Sequence, residues 1–166
     1  PLRKSDAGLI ALYSSDERVA RATRGIPHPL PPGSTEAFIA RCLADDREED
    51  TWVIDGTQSG LSEVLGVIGA RRMDREQSEI GYWVAPAFWN TGIASEAVQA
   101  LVAANPHKAR TLFAAVFQDN PASAKVLVHV LVSAPAYGQL FPTWEDRWEN
   151  LVSELMVYEL PPVTSP

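Results

Sequence analysis

Apolar residues recur at helical spacing in the first part of the chain. The segments that show this spacing cover about residues 6–14, 16–22 and 34–44. A proline-rich run, RGIPHPLPPGS at 24–34, is expected to be an extended loop, because proline fixes the backbone and stops helices. The pattern therefore predicts three helices, with Ser5 and Asp6 capping the first and Ser34 capping the third.

From Thr51 onward the period changes to the alternation that is typical of strands. The strand-like runs are TWVID (51–55), EVLGVIGARRM (63–73), SEIGYWVA (78–85), ARTLFAAVF (109–117) and LVSELMVYEL (151–160). Two more helices are predicted, one from Gly92 to about Ala104 and one that has Asn120 as its cap and Pro121 at its first position.

The order of these elements predicts the fold class. Helices come first, an antiparallel set of strands follows, and helix and strand then alternate. This order favours an α/β (α+β) fold, with a mixed, mainly antiparallel central sheet and helices on both faces. A length of 166 residues without internal repeats suits a single domain over residues 1–166.

Charge and cysteine content exclude several classes of protein. The net charge is -7, which argues against a nucleic-acid partner, since such binding depends on clustered Lys and Arg. The only cysteine, Cys42, excludes an internal disulfide and favours a reducing compartment. No apolar run approaches the roughly 18 residues of a membrane span, and the first residues do not follow a signal-peptide pattern. We therefore predict a cytoplasmic protein with no membrane partner.

The entry to the fourth predicted helix, NTGIAS at 90–95, has an unusual composition. It carries no charged side chain, and Gly92 lets the backbone curl without a Cβ in the way. A helix N-terminus presents unpaired N–H groups and a partial positive charge, which together attract anions. The residues point to a phosphate or pyrophosphate site, and a plain helix start is the alternative.

The surrounding segment, EIGYWVAPAFWNTGIASEAVQAL at 79–101, resembles the acetyl-CoA binding segment of the GNAT superfamily of N-acetyltransferases. It is most similar to the branch that includes the ribosomal-protein N-terminal (alanine/serine) acetyltransferases, through Gly-Tyr-Trp at 81–83 and through Trp89. Two further segments agree with the family, VFQDNPASAKVL at 116–127 and RGIPHPLPPGSTEAFIARCL at 24–43.

The resemblance implies direct transfer of an acetyl group from acetyl-CoA to a primary amine in a ternary complex. It implies a V-shaped cleft where the strand at 79–84 splays from the strand at 109–117. Backbone groups of 82–84 would pair with the pantetheine arm and stabilise the oxyanion, and N–H groups of 90–95 would hold the pyrophosphate. The residues so assigned to the cofactor are Tyr82, Trp83, Val84, Trp89, Asn90, Thr91, Gly92, Ile93, Ala94, Ser95, Asn120 and Ser123.

Two side chains are candidates for the proton transfers. A protonated amine must lose a proton, and Glu79 is the candidate base, acting through water. A solvated strand carboxylate is the alternative reading of Glu79. Ser123 lies one helical turn after Asn120 and is the candidate proton donor to the leaving thiolate, unless it only bonds to the backbone at the helix start.

The acceptor is a small amine or a protein N-terminus, and His28 and Tyr137 are the candidates for contacting it. His28 is alternatively a surface residue of its loop. His107 and His129 have no partners at metal-ligand spacing, so no metal is predicted. A homodimer is compatible with the resemblance.

The sequence departs from the family pattern in the loop and after the last helix. Asn90 and Thr91 replace a usual glycine and a usual Lys, Arg or Gln, and Leu127 stands where a tyrosine acid is frequent. Val132 stands in a Leu-Val pair where Leu-Gly-Phe is usual, so the helix stop is missing. The alternative function is therefore a non-catalytic acyl-CoA-binding or protein-interaction module with the same fold.

Overall fold

The structure is a computed structural model that describes residues 1–117, 119–132, 138–143 and 153–159. The α-helices in these ranges are α1 (Ala7–Ser14), α2 (Glu17–Arg21), α3 (Ser34–Cys42), α4 (Ile93–Ala104) and α5 (Pro121–Val132). Single 3₁₀ turns cover Lys4–Asp6, Thr57–Ser59 and Pro86–Phe88. Within the described ranges, none of the helices combines the length and the apolar character that crossing a bilayer requires.

The described strands form one mixed sheet. They are β1 (Glu49–Ile54), β2 (Gly66–Met73), β3 (Gln77–Val84), β4 (Thr111–Phe117), β5 (Gly138–Thr143) and β6 (Ser153–Glu159), in the spatial order β1-β2-β3-β4-β6-β5. β3 and β4 are parallel, whereas β4 with β6 and β5 with β6 are antiparallel. Only a short turn joins β2 to its neighbour β3, which requires them to be antiparallel as well. The predicted fold class is confirmed.

The helices and all strands except β5 lie where the sequence predicted them. β1 begins at Glu49, two residues before the predicted Thr51. β5 was missed because its segment lacks alternation and contains Pro142. β5 stands last in the strand order, and an edge strand is where a sheet tolerates proline.

The chain groups into two compact units. The first comprises Pro1–Ala70 and Tyr82–Ala94, and the second comprises Arg71–Gly81 and Ser95–Pro166. Strands β2 and β3 contribute residues to both units. A single domain over the whole chain stays a prediction.

The core of the first unit joins the N-terminal helices to the start of β2. Its buried apolar residues are Leu2, Ile10, Ile39, Val64 and Val67. Phe38, Ile39 and Cys42 follow a helical period along α3, which is why one side of this helix is apolar. Burial raises the pKa of the Cys42 thiol, so the reactive thiolate is disfavoured there.

A close backbone approach inside this unit requires glycine at position 66. A Cβ built on Gly66 would lie 2.2 Å from the carbonyl oxygen of Trp83, a distance that no side chain tolerates. The clash is with backbone, which cannot turn aside as a flexible side chain can. Gly66 therefore sets how closely β2 and the end of β3 approach.

Asp16 begins α2 and holds Arg18. Its carboxylate accepts a hydrogen bond from the backbone N–H of Arg18 at 2.9 Å and two from the guanidinium, from Nε at 3.0 Å and Nη2 at 2.7 Å. These bonds lower the pKa of Asp16 from 3.8 to about 2. The guanidinium bonds have the largest effect, and the backbone bond has the next largest. A short helix thus gains both a cap and a fixed cation in its first turn.

Asp6 holds the predicted cap position of α1 without making a capping bond, and the predicted cap at Ser34 is wrong. Asp6 is buried and turns back to Arg3, whose backbone N–H donates to the carboxylate at 2.7 Å, because a buried carboxylate requires donors. Ser34 is the first residue of α3, and its hydroxyl donates to the carbonyl of Pro31 at 2.5 Å. Gly33, with a φ of 78°, holds the cap position instead.

In the second unit, β4 is the central strand. Leu112, Ala114 and Val116 are buried at alternate positions along it. The connection from α4 to β4 is fixed by Asn105, whose side chain donates to the carbonyl of Ala109 at 3.0 Å and accepts from its N–H at 2.9 Å. These bonds hold Asn105 at a positive φ of 35°.

We expect Gly66→Ala to lower the free energy of unfolding by about 2–3 kcal/mol, because the added methyl group meets the backbone of Trp83. The control is Gly8→Ala in α1, where an added Cβ meets nothing within 4 Å. That variant should gain about 0.5–1 kcal/mol from helix propensity. Urea denaturation measures both, and equal effects would contradict the close approach.

Asp16→Asn should remove a pH-dependent part of the stability. The pKa of Asp16 is lower in the folded protein than its ordinary 3.8, so its contribution is fully present above about pH 4 and is lost as the pH falls through about 2. The difference in thermal midpoint between wild type and variant should therefore shrink over this range. A difference that stays constant would show that the ion pair with Arg18 does not form.

Candidate functional site

The end of β3 is held by two hydrogen bonds within the first unit. Val84 and Ala85 are buried, so their backbone groups require partners. The N–H of Ala85 donates to the carbonyl of Leu65 at 2.8 Å, and the indole N–H of Trp89 donates to the carbonyl of Val84 at 2.6 Å. The chain leaves the sheet at this point and makes the 3₁₀ turn Pro86–Phe88.

The segment between this turn and α4 has an alternating backbone. Asn90 has a φ of 61° and Gly92 a φ of 87°, whereas Thr91 between them is not in the left-handed region. Such alternation turns successive N–H groups toward one side, which is how anion-binding nests are built. The hydroxyl of Thr91 donates to the carbonyl of Phe88 at 2.6 Å and fixes the turn.

This segment fits the pyrophosphate that the resemblance implies. A Cβ on Gly92 would meet no protein atom within 4 Å, so packing leaves the space beside it open. Asn90, Thr91 and Gly92 are exposed, and α4 begins directly after them at Ile93. The donors that the segment offers are backbone N–H groups at a helix N-terminus, which suit a phosphate.

Aromatic and cationic side chains from the N-terminal helices contact the same turn. Tyr13 of α1 packs edge-to-face on Phe88, with 6.4 Å between the ring centroids. The guanidinium carbon of Arg18 lies over the ring of Trp89, 5.5 Å from its centroid. The sequence analysis missed Arg18. Its only local signal was an Asp two residues before an Arg at a helix start, which says nothing about a distant tryptophan.

Glu79, the candidate base, lies on β3 in the second unit. Its carboxylate accepts a hydrogen bond from the guanidinium of Arg71 in an ion pair. The Glu79 side chain is 17% exposed, so it is neither fully buried nor the freely solvated carboxylate of the alternative reading. A base role would have to operate beside this guanidinium.

The structure brings Asn120 and Ser123 together at the start of α5, also in the second unit. The side-chain oxygen of Asn120 accepts from the backbone N–H of Ser123 at 3.1 Å, so the predicted cap is confirmed. This bond uses the amide oxygen of Asn120 and does not involve its side-chain NH₂ group. Leu127 is buried, so the position of the family's tyrosine acid belongs to the core here.

His28 and Ser95 lie on different elements. His28 is exposed in the proline-rich loop of the first unit, and Ser95 is half-buried in the first turn of α4. Tyr137 falls outside the described residues. The described part of the chain contains no group of three His, Cys, Asp or Glu that could hold a metal ion.

Charge in this region is distinctive. From Tyr82 to Ala104 the sequence contains no Lys or Arg, and Glu96 is the only acidic residue. The helix dipole and backbone N–H groups are therefore the only positive features that this stretch itself contributes. Arg18 adds a full positive charge from another element.

Comparisons with known proteins agree with the resemblance. Residues 1–130 match the family model described as an acetyltransferase (GNAT) domain. A search of curated proteins finds no match. The roles of individual residues therefore rest on geometry and on the resemblance.

Solved structures of acetyltransferases share the fold at low sequence identity. A spermidine N-acetyltransferase from Vibrio cholerae, in complex with CoA and spermine, matches with a TM-score of 0.71 and 13% identity, over 95% of this chain and 92% of that one. A ribosomal-protein-S5-alanine acetyltransferase from Vibrio fischeri matches with a TM-score of 0.71 and 16% identity, over 99% and 93%.

A GNAT-family acetyltransferase from Bacillus anthracis matches with a TM-score of 0.68 and 20% identity, over 96% of this chain and 90% of that one. At such identities these structures show the fold alone. The family model covers residues 1–130 of 166, which is well over half of the sequence. This protein belongs to the GNAT family of acetyltransferases.

Proposed function

We propose that the protein is an acetyl-CoA-dependent N-acetyltransferase that moves an acetyl group to a primary amine by direct transfer. The observation that carries the proposal is the alternating backbone of Asn90 to Gly92 immediately before α4, with open space beside Gly92. Family membership supports the reaction class. The single cysteine supports, as a further proposal, a cytoplasmic location.

The segment 82–95 would supply backbone groups that bind the co-substrate. The N–H groups of residues 90–95 would hold its pyrophosphate, and the backbone of 82–84 would pair with its pantetheine arm. The carbonyl of Val84 accepts a hydrogen bond from the indole of Trp89, and its second lone pair could accept one from the arm. Acetyl-CoA, when bound, supplies the activated acetyl thioester. The V-shaped cleft for the arm stays a prediction.

Glu79 and Ser123 are the proposed proton-transfer groups. The amine nitrogen must lose a proton to attack the thioester carbonyl, and Glu79 would take that proton through a water molecule. The C–S bond breaks in the same reaction, and Ser123 would donate a proton to the sulfur and regain one from water. Asn120, which caps the helix, would keep Ser123 in place.

The acceptor is proposed to be a protein N-terminus or a small-molecule amine, with His28 and Tyr137 on its side of the site. The names of the similar structures include both kinds of acceptor. A panel of N-terminal peptides and small amines, polyamines included, discriminates between the two. A homodimer is a separate proposal, which light scattering would test.

Calorimetric titration tests the binding step. Wild type should bind acetyl-CoA saturably, and dephospho-CoA should bind too, because it keeps the pyrophosphate. Gly92→Ala should raise the Kd about tenfold, since a Cβ enters the open space and strains the left-handed backbone. Gly60→Ala is the matched control, because Gly60 has a φ of 70°, equal open space and a place in another turn, directly after Thr57–Ser59.

Two results would contradict the proposal. Equal Kd values for the Gly92 and Gly60 variants would show that the pyrophosphate does not bind to this segment. A folded wild type that shows no saturable binding would instead favour the alternative, a non-catalytic module that interacts with another protein.

Glu79→Gln should lower kcat/KM by about a hundredfold or more if Glu79 is the base. The matched control is Glu76→Gln, which removes a carboxylate from the neighbouring turn that is ion-paired to Arg110 at 3.9 Å. Only Glu79→Gln should show this loss of kcat/KM, and the pH profile of its kcat/KM should differ from that of wild type. Activity within about twofold of wild type would assign the base elsewhere.

A further inference from the structure

We propose that Arg18 is a binding residue for the phosphates of acetyl-CoA, held on the ring of Trp89 to supply the positive charge that the loop at 90–95 lacks. The inference rests on the proposed function, because it concerns the same site. It assigns a ligand contact to α2.

The loop has a charge deficit. A pyrophosphate carries negative charge that backbone dipoles stabilise at short range only, and Glu96 in the first turn of α4 opposes it. In the resemblance, a Lys, Arg or Gln is usual where this chain has Thr91. With a chain net charge of -7, the general field also repels an anion. An additional cation near the loop should therefore strengthen the binding of a pyrophosphate.

Arg18 is the cation that the first unit places beside the loop. Its guanidinium carbon lies 5.5 Å from the ring centroid of Trp89, and Trp89 directly precedes Asn90 in the chain. The ring is itself fixed by its hydrogen bond to Val84 and is 40% exposed. A cation on this ring therefore lies against the residue that directly precedes the proposed phosphate donors.

The geometry leaves Arg18 able to bind an anion. The side chain is 65% exposed, and Asp16 engages its Nε and Nη2 atoms. A guanidinium has five N–H donors, so Nη1 and one donor of Nη2 are not part of this fork. Asp16 offsets the charge at long range, so the gain in affinity should come from close contact and should be moderate.

The variants are Arg18→Gln, Arg18→Lys and Arg21→Gln. Arg21 is the matched control because it lies on the same helix, is 77% exposed and is paired with Glu17 at 3.7 Å. Both Gln variants change the net charge equally, so any difference between them reports position. Calorimetry of acetyl-CoA binding without acceptor, with thermal unfolding as a check on folding, measures the effect.

Arg18→Gln should raise the Kd of acetyl-CoA about three- to tenfold at about 0.1 M salt, where charges interact over about 10 Å. The ratio to wild type should approach one at about 1 M salt, where that distance falls to about 3 Å. Arg18→Lys should keep most of the affinity, because it keeps the charge and can make a cation–π contact with the ring. Arg21→Gln should bind as wild type does.

Failure of this inference is distinguishable from failure of the proposed function. If wild type does not bind acetyl-CoA, the proposed function fails and takes the inference with it. If wild type binds but the two Gln variants shift the Kd equally, only the role of Arg18 is overturned and the proposed function stands. An unchanged Kd with a raised KM for the amine would likewise overturn it and assign Arg18 to the acceptor.

Discussion

The hydrogen bond from the indole of Trp89 to the carbonyl of Val84 fixes the point at which β3 ends. Val84 is buried, and a buried carbonyl without a partner is costly. The next residue, Ala85, satisfies its N–H with the carbonyl of Leu65. With both groups paired, the chain can leave the sheet and turn within a few residues into α4. The position of the proposed phosphate donors depends on this pair of bonds.

Two glycines near this point have different physical causes. Gly66 has no space for a Cβ because the backbone of Trp83 lies against it, so the fold itself requires glycine there. Gly92 has open space beside it and a φ of 87°, so glycine suits this position because of the backbone conformation and the room it leaves. The contrast separates a residue that serves packing from one that suits a ligand. The same distinction applies to the aromatics, since Phe88 packs on Tyr13 whereas Trp89 is partly exposed.

The sequence predicted the features that depend on local pattern. Helices and most strands follow from periodicity, and the cap at Asn120 follows from its place before Pro121. Features that depend on distant partners were not predictable in this way. Asp6 turned to Arg3 because burial removed it from water, and the edge strand β5 lacks alternation. The contact of Arg18 with Trp89 joins residues from separate helices and turns, and no periodicity encodes it.

The departures of the loop from its family have a conformational explanation. The position of Asn90 requires a positive φ, which asparagine adopts more readily than most residues, so it can replace glycine there. Thr91 replaces a usual long polar or cationic side chain, and its hydroxyl bonds to Phe88 and stiffens the turn. The loop thus has a side-chain hydrogen bond where a charge is often found. Because that bond fixes the backbone, a cation can come from a separate element without changing the conformation of the loop. The ring of Trp89, which is fixed by its own hydrogen bond, is the surface that such a cation contacts.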